Sequence, residues 1–369
     1  MDFSFTEEQE AVKDLAKQIL EGTVSPDRLK EMKANGEHLD RKAWQELANA
    51  NLVGIAIPEA YGGSGLGFLE ACLVLEQIGR NVAPVPYYAS VVLGALPIAT
   101  FGTEAQKQEL LPPAAAGDLI LSAALIEIGA PPEQPTTVAR RDGDGWRLDG
   151  QKDFVAAGLD AGQLLVSAST DDGVGVFLID PKGPGVTIER QEATNEIPEA
   201  RIVLGNAPAQ PLGDIADGAE VLEWMIQHAT AALCATAIGV CDKAVRLTAE
   251  YTSTRKQFDK PIASFQAVGQ RAADAYIDAE AVRLTAWQAA WRLAEGLPAS
   301  AEVATAKFWA AEGGQRVVAA AQHLHGGIGV DRDYPLHRYY LWAKWIQLNL
   351  GGAAQQLRKL GSILANEPV

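Results

Sequence analysis

Apolar and polar residues alternate along the chain in two different rhythms, and the first one predicts helices at the N-terminus. From Val12 to Ile19 the apolar positions recur every three or four residues, which is typical of the buried face of an α-helix. Thr6 and Gln9 stand just before this stretch and match a capping box, in which each side chain satisfies a free backbone N–H. The pattern therefore predicts a helix that begins directly after Thr6.

The rest of the first third also favours helices. A second helix is predicted near Arg41–Asn51, and an apolar helix is predicted over Leu69–Ile78. Between them, the glycine-rich stretch Pro58–Gly67 indicates a turn. We expect an N-terminal helical domain over residues 1–118.

The middle of the chain follows the second rhythm, in which short apolar runs are separated by the turn sequences DGDG and DDG. Runs of this length between turns are typical of β-strands. Four strands are predicted, over Trp146–Gly150, Gln163–Ser169, Val174–Asp180 and Val186–Arg190. They define a β domain, a barrel or sandwich, over residues 119–212.

The last part of the chain returns to long helical stretches, which gives an α+β fold with a C-terminal four-helix domain over residues 213–369. The predicted helices are Ala219–Tyr251, Phe265–Glu295, Ala299–Leu324 and Gly351–Ala365. Their Ala-rich faces carry few charges, and such faces are stable only when they are covered. Oligomerisation is therefore expected.

Charge and cysteine content restrict the possible partners. The formal net charge of the 369 residues is −16, which argues against nucleic acid or an anionic membrane as a partner. The polar N-terminus and the absence of a run long enough to cross a bilayer predict a cytoplasmic protein. The three cysteines have no zinc-site or CxxC spacing and are predicted to be buried free thiols, so no metal is expected: Cys72, Cys234 and Cys241.

Several segments, taken together and in this order, resemble the acyl-CoA dehydrogenase family over the whole chain. They are MDFSFTEEQ at the start, PEAYGGSG from Pro58, Phe101–Asp118, WRLDGQK from Trp146, RKQFDKPIASFQAV from Arg255, HLHGGIGV from His323, and Tyr334–Leu360. The resemblance implies helical, β and helical domains in a tetramer that uses FAD. It also implies oxidation of an acyl-CoA to a 2,3-enoyl-CoA, with a Glu taking the α-proton and the flavin accepting a hydride. In this family each subunit houses its own flavin ring and holds the ADP half of its neighbour's FAD.

The residues that hold the neighbour's ADP half are largely present. By resemblance, Arg255, Gln257 and Phe258 match the R-x-x-F motif. An Arg suits this role because its fixed fork of donors meets phosphate oxygens in pairs. Asp259 departs from the family, which has Gly there.

The second cofactor motif is also present. His323, Gly326 and Gly327 match it, and paired glycines let the backbone approach a cofactor closely. The family often has Gln at the position of His323, and His keeps a donor there. The alternative for both motifs is purely structural: Arg255 ends a helix and the glycines form a turn.

The residues that would house a flavin ring are replaced. By resemblance, two hydroxyl donors have become Ile126 and Pro132, and a Thr that donates towards the ring has become Ala156. The two family positions for the catalytic Glu hold Leu350 and Ala229. Neither side chain can accept a proton, so we expect no catalytic residue in this chain.

The replaced residues belong to flavin-ring binding and proton transfer, whereas the residues that resemble the ADP-holding motifs are present. This division indicates a subunit of a heteromer. His323, His325 and the sequence Leu350–Gly352 look most like the non-catalytic partner subunits of actinobacterial acyl-CoA dehydrogenases for steroid side chains, which form α2β2 heterotetramers. A catalytic subunit would then supply the base and bind most of the acyl-CoA. Two alternatives stay open: a self-sufficient dehydrogenase with a relocated base, and a non-enzymatic flavin- or acyl-CoA-binding scaffold. The sequence leaves the electron acceptor and the acyl chain length open.

Overall fold

The computed structural model describes residues 4–143 and 145–366 and has the predicted α+β architecture. Helices occupy both ends of the chain and a β-sheet occupies the middle. Met1–Phe3 of the opening motif and Asp144 of the DGDG turn lie outside the described residues.

The N-terminal third is helical, as predicted. The Thr6–Gln9 capping box is present at the start of α1. The helices are α1 (Glu7–Thr23), α2 (Pro26–Asn35), α3 (Arg41–Asn49), α4 (Phe68–Asn81), α5 (Leu96–Phe101) and α6 (Glu104–Ala115), with a π-helical segment at Tyr88–Ala95. Helix α2 was not predicted, because it buries only Leu29 and Met32 and its sequence is otherwise mostly polar.

The middle sheet contains all four predicted strands and three more. The strands are β1 (Leu121–Ala124), β2 (Val138–Asp142), β3 (Gly145–Val155), β4 (Gln163–Thr170), β5 (Gly173–Ile179), β6 (Val186–Gln191) and β7 (Glu199–Pro211). The pairings run β4-β2-β3-β7-β5, and β5 also pairs with β4, so that the sheet closes on itself as a barrel. Strands β1 and β6 are added on β4 and β7. Leu148, Leu164 and Phe177 are among the apolar residues that fill its core.

The C-terminal part consists of long helices and one small hairpin. The elements are α7 (Gly218–Thr254), the strands β8 (Lys256–Gln257) and β9 (Lys260–Pro261), α8 (Gln266–Ala294), α9 (Ser300–Phe308), α10 (Gly314–His325), α11 (Leu336–Leu348) and α12 (Ala353–Asn366). The stretch predicted as one helix over Ala299–Leu324 is interrupted by a π-helical turn at Trp309–Gly313. Helix α11 was not predicted, and α12 begins two residues later than expected because Gly351 has a φ of 94°.

Two compact units make up the chain, and each combines segments that are distant in sequence. The first contains residues 1–36, 72–83 and 230–369, and the second contains residues 37–71 and 84–229. The predicted domain boundaries near residues 118 and 212 stay predictions. The three cysteines are buried free thiols, as predicted.

One helical stretch of the described residues, Ile215–Thr254, is long and apolar enough to cross a membrane by length and composition alone. Its most apolar window is 89% buried within the protein. Core helices of folded proteins meet the same length and composition test, so this stretch is weak evidence for a membrane segment.

Candidate cofactor site

A tight hairpin directly after α7 presents the first candidate cofactor motif. The Arg255 N–H continues the helical pattern by donating to the Tyr251 carbonyl at 2.8 Å, and the Ile262 N–H donates to the Arg255 carbonyl at 2.9 Å. Phe258 and Asp259 form the tip between β8 and β9, with φ angles of 52° and 62°. Two successive left-handed residues are typical of a type I′ turn, which joins antiparallel strands tightly.

The side chains of this hairpin are available to a ligand. Arg255, Gln257 and Phe258 are exposed, and the Phe258 side chain has 87% of its surface accessible. Its only ring contact within the described chain is an edge-on approach to Phe265 at 6.2 Å. Among the described residues none forms an ion pair or hydrogen bond with the Arg255 guanidinium. An exposed cation beside an exposed aromatic ring suits a phosphate and an adenine.

The second motif lies at the end of α10. His323, Gly326 and Gly327 are exposed. Gly326 has φ 64° and ψ −142°, a conformation that is open almost only to glycine. A Cβ atom at Gly326 or Gly327 would meet no atom within 4 Å, so both glycines face open space. The backbone here is therefore approachable from outside the chain.

The segment that resembles the family's ring-binding stretch is anchored by a buried carboxylate. Glu127 accepts hydrogen bonds from the Thr136 N–H at 2.6 Å, the Thr137 N–H at 3.0 Å, the Thr136 hydroxyl, and the Lys152 ammonium at 2.6 Å. Lys152 is fully buried and also donates to the Ser167 hydroxyl at 2.9 Å. These bonds tie the loop after β1 to β3 and β4.

Burial and hydrogen bonding act differently on the two members of this ion pair. Burial raises the pKa of Glu127, but its bonds to Lys152, Thr136 and Thr137 outweigh burial and bring the pKa down to about 2. For Lys152 burial outweighs the carboxylate and lowers the pKa to about 8. Both groups are charged at neutral pH. Sequence reasoning noted Lys152 only as part of a motif and missed its partner 25 residues away.

The positions that resemble ring donors carry no side-chain donor. Ile126 and Pro132 are partly exposed apolar residues, and Ala156 contributes only backbone, with its carbonyl accepting from the Ser122 hydroxyl at 2.5 Å. Nearby Phe154 has φ 53° and 38% of its side chain exposed, and Ile128 is 69% exposed. The replacement of hydroxyl donors that the resemblance implied therefore leaves only apolar side chains at these three positions.

The two candidate base positions hold buried aliphatic side chains. Ala229 is fully buried in α7, and Leu350 is 9% exposed. Leu350 has a left-handed φ of 51°, and the Gln356 side-chain amide donates to its carbonyl at 3.0 Å. A methyl or isobutyl group offers no lone pair to a proton, whatever its position.

Sequence reasoning missed a buried lysine on α9, Lys307. Lys307 is fully buried, and its ammonium donates to the Ile346 carbonyl at 2.6 Å and the Gln347 carbonyl at 3.4 Å, near the C-terminal end of α11. A cation at this end of a helix interacts favourably with the unpaired carbonyls. The only sequence signal is a single Lys within the apolar run EVATAKFWAA.

The sequence matches three family models along its length. The acyl-CoA dehydrogenase N-terminal domain matches residues 6–118, the middle domain residues 127–206, and the C-terminal domain residues 216–363.

Individual relatives and solved structures agree with these matches. The acyl-CoA dehydrogenase FadE27 of Mycobacterium tuberculosis is 41% identical over 377 residues, with all of both chains covered. The structure of a variant of the Tcur3481–Tcur3483 steroid ACAD is 43% identical with a TM-score of 0.93 and 98% of each chain covered. The ChsE4–ChsE5 complex from Mycobacterium tuberculosis is 41% identical with a TM-score of 0.95 over all of both chains. This chain therefore belongs to the acyl-CoA dehydrogenase family, whose members are FAD-dependent oxidoreductases that act on CH–CH groups.

Proposed function

We propose that this chain is the non-catalytic subunit of a heteromeric acyl-CoA dehydrogenase that forms a 2,3-enoyl-CoA from a steroid side-chain acyl-CoA. One observation carries the proposal: the candidate ADP-holding residues are exposed and no described residue pairs with the Arg255 guanidinium, whereas both candidate base positions are buried aliphatic residues. A chain with this division of roles needs a second chain to complete an active site.

Two similar structures support the heteromer and the substrate class. One is the ChsE4–ChsE5 complex, and the other is a variant of the Tcur3481–Tcur3483 steroid ACAD. We propose the same kind of pairing for this chain, as an α2β2 heterotetramer with a catalytic acyl-CoA dehydrogenase subunit.

The residues present fit the ADP half of FAD and not its ring. Arg255 offers a guanidinium with no described partner, and Gly326 and Gly327 leave open space beside the backbone. On the ring side, Ile126, Pro132 and Ala156 offer no side-chain donors. When bound, FAD supplies the acceptor for the hydride that leaves the acyl chain.

In the proposed complex this chain binds and orients and the partner performs proton transfer. Arg255 pairs with the diphosphate and Phe258 packs on the adenine side, while Gln257 and His323 add hydrogen-bonding groups. Leu350 holds no proton acceptor, so the partner supplies the Glu that takes the α-proton. The partner also binds most of the acyl-CoA.

Exposed apolar residues on two helices support assembly with other subunits. On α8, Ile277, Leu284 and Trp291 are spaced by seven residues and are 63%, 57% and 44% exposed. On α12, Leu357 and Leu364 repeat the same spacing and are 50% and 60% exposed. A seven-residue apolar repeat places these side chains along one side of each helix, where a partner helix can cover them.

A reducing compartment fits the cysteines. Cys234 and Cys241 are buried free thiols, and burial raises the pKa of each to about 12, so that neither is a reactive thiolate. With the net charge of −16, this supports a cytoplasmic location.

Flavin content tests the proposal directly. The chain is purified alone and after co-expression with an acyl-CoA dehydrogenase chain that carries the catalytic Glu. We expect colourless protein alone and a yellow heterotetramer with two FAD, and we expect Arg255→Ala to release FAD from it. Arg246→Ala is the matched control, because Arg246 lies on α7, which ends directly before Arg255, is also exposed, and pairs with Asp242.

Three results would contradict the proposal. One FAD per chain in an active homotetramer would indicate a self-sufficient enzyme with a relocated base. Flavin or acyl-CoA binding without a base-bearing partner or turnover would indicate a scaffold. Equal FAD retention in Arg255→Ala and Arg246→Ala would place the ADP half elsewhere.

A further inference from the structure

Three aromatic side chains join the two candidate ADP-binding segments inside the C-terminal part of the chain. The Tyr251 ring stacks on the His325 imidazole, with centroids 4.5 Å apart and planes 19° apart. The His325 Nε2 atom lies 3.1 Å from the Tyr334 hydroxyl, and the Tyr334 ring approaches Tyr251 at 6.4 Å. We call Tyr251, His325 and Tyr334 the aromatic bridge.

The hydrogen bonds of His325 define its protonation state. Its Nδ1 atom is 2.7 Å from the Ala321 carbonyl, which only accepts, so Nδ1 carries the proton. Nε2 is then the acceptor, and the Tyr334 hydroxyl donates to it. His325 is 3% exposed, and burial lowers its pKa, which favours this neutral form. The imidazole is therefore held at both nitrogens as well as on one ring face.

Each end of the aromatic bridge is either hydrogen-bonded to a candidate ADP-binding residue or next to one in sequence. Tyr251 accepts the backbone hydrogen bond of Arg255 at 2.8 Å, one helical turn before the hairpin. His325 directly precedes Gly326 and Gly327. The stack thus connects the end of α7 to the end of α10, two segments that are distant in sequence. None of the three side chains belongs to the ADP-binding set itself.

We propose that the aromatic bridge positions the two halves of the ADP clamp, Arg255 and the Gly326–Gly327 backbone, at the spacing that the ADP part of FAD requires. This inference rests on the proposed function, because it assigns a role in the same clamp. The bridge residues do not touch the ligand. They act through Arg255 and Gly326, by restricting the relative motion of the two segments that carry them.

The test uses the co-expressed complex stripped of flavin and titrated with FAD and separately with ADP. Tyr334→Phe removes one hydroxyl and His325→Phe removes both imidazole bonds while keeping an aromatic ring. Loss of one such hydrogen bond corresponds to about a threefold to tenfold change in an equilibrium constant. We expect the Kd for FAD and the Kd for ADP to rise by the same factor in each variant, and kcat at saturating FAD to stay unchanged.

A matched control and a double variant separate positioning from general stability. His228→Phe is the control, because His228 is also buried, bonds the Trp224 carbonyl four residues earlier at 2.8 Å, and stacks on the Trp224 ring at 3.7 Å. It should lower the melting temperature and leave both Kd values unchanged. Tyr334→Phe combined with Arg255→Ala should weaken FAD no further than Arg255→Ala alone.

The outcomes distinguish failure of the proposed clamp from failure of the positioning role alone. If Arg255→Ala leaves FAD binding intact, the proposed clamp is wrong and the bridge has no clamp to position. If Arg255→Ala weakens FAD but Tyr334→Phe and His325→Phe leave the FAD and ADP affinities at wild-type values, the positioning role is wrong. Additive effects of Tyr334→Phe and Arg255→Ala would also overturn it.

Discussion

The buried Glu127–Lys152 pair allows a quantitative prediction, because one substitution leaves a charge without its partner. In Lys152→Met the side chain keeps its length and loses the ammonium that donates to Glu127 at 2.6 Å. Glu127 then remains in a site that is 6% exposed. Breaking a buried pair by removing one partner costs about 3–5 kcal/mol in the free energy of unfolding, because the remaining charge is uncompensated. We expect a loss of that size in urea-induced unfolding at pH 7.

The pH dependence of unfolding gives a second value for the contribution of this pair to stability. The pKa of Glu127 is about 2 in the folded protein, below its ordinary 4.5, so the ionised form stabilises the fold. That stability is complete above about pH 4.5 and is lost as pH falls towards 2. Lowering the pKa of Glu127 from 4.5 to about 2 corresponds to roughly 3 kcal/mol. In Glu127→Gln this part of the acid dependence should be absent.

A double variant decides whether the pair, and not the packing of either side chain, is responsible. Lys152→Met combined with Glu127→Gln leaves no unpaired charge, and it should be less destabilised than Lys152→Met alone by about 2 kcal/mol or more. The exposed pair Arg190–Glu192 offers a control: its side chains are 51% and 73% exposed, so Arg190→Met should cost less than Lys152→Met. The reasoning is refuted if Lys152→Met and the double variant unfold at the same urea concentration.

Three further substitutions and one chemical modification test other parts of the structure. In Lys307→Met the last carbonyls of α11 lose their donor. Burial lowers the pKa of Lys307 to about 8, so the folded wild type releases this proton at a lower pH than the unfolded chain does. Raising the pH from about 7 to about 10 should therefore stabilise the wild type relative to Lys307→Met, as measured by urea unfolding. Gly239→Ala would drive a Cβ into the Glu76 carbonyl and should lower the free energy of unfolding by more than about 4 kcal/mol or prevent folding. Gly269 is a helical glycine with open space around it, so Gly269→Ala should raise the free energy of unfolding by about 0.5–1 kcal/mol. Urea unfolding measures both. A thiol reagent should modify none of the three buried cysteines in the native protein and all of them after denaturation: Cys72, Cys234 and Cys241. Rapid modification of any of them in the native state would contradict their burial.

The elements that sequence predicts well are those in which local pattern and tertiary environment agree. Strands β4 and β5 are apolar runs between turn sequences, and they lie in the barrel core, so pattern and burial coincide. Strand β7 was missed although it is the longest strand of the sheet, because Gly, Asn and two Pro residues weaken its local signal. It is held by its pairing with β3, β5 and β6, which no local window contains.

The same distinction applies to the site. Arg255, Phe258 and the glycine pair were assigned to ADP binding because continuous sequence motifs around them resemble those of the family; they are exposed in the structure, and the assignment itself stays a prediction. The pairing of Glu127 with Lys152 and the stacking of Tyr251 on His325 were not predicted. The members of each pair are far apart in sequence, and only the folded chain brings them within hydrogen-bonding or stacking distance.

The Glu127–Lys152 pair fixes the path of the loop after β1 independently of the side chains proposed to face the flavin ring. The pair holds the loop after β1 against the barrel through backbone and buried atoms. The side chains at Ile126, Pro132 and Ala156 do not take part in these bonds, so they can become apolar while the loop keeps its path. A base at the position of Leu350 is equally separable, because the backbone there is held through the Gln356 amide and the carbonyls bonded by Lys307. In the subunit arrangement proposed above, side chains on such independently anchored backbone could differ between two subunits while both keep the same fold.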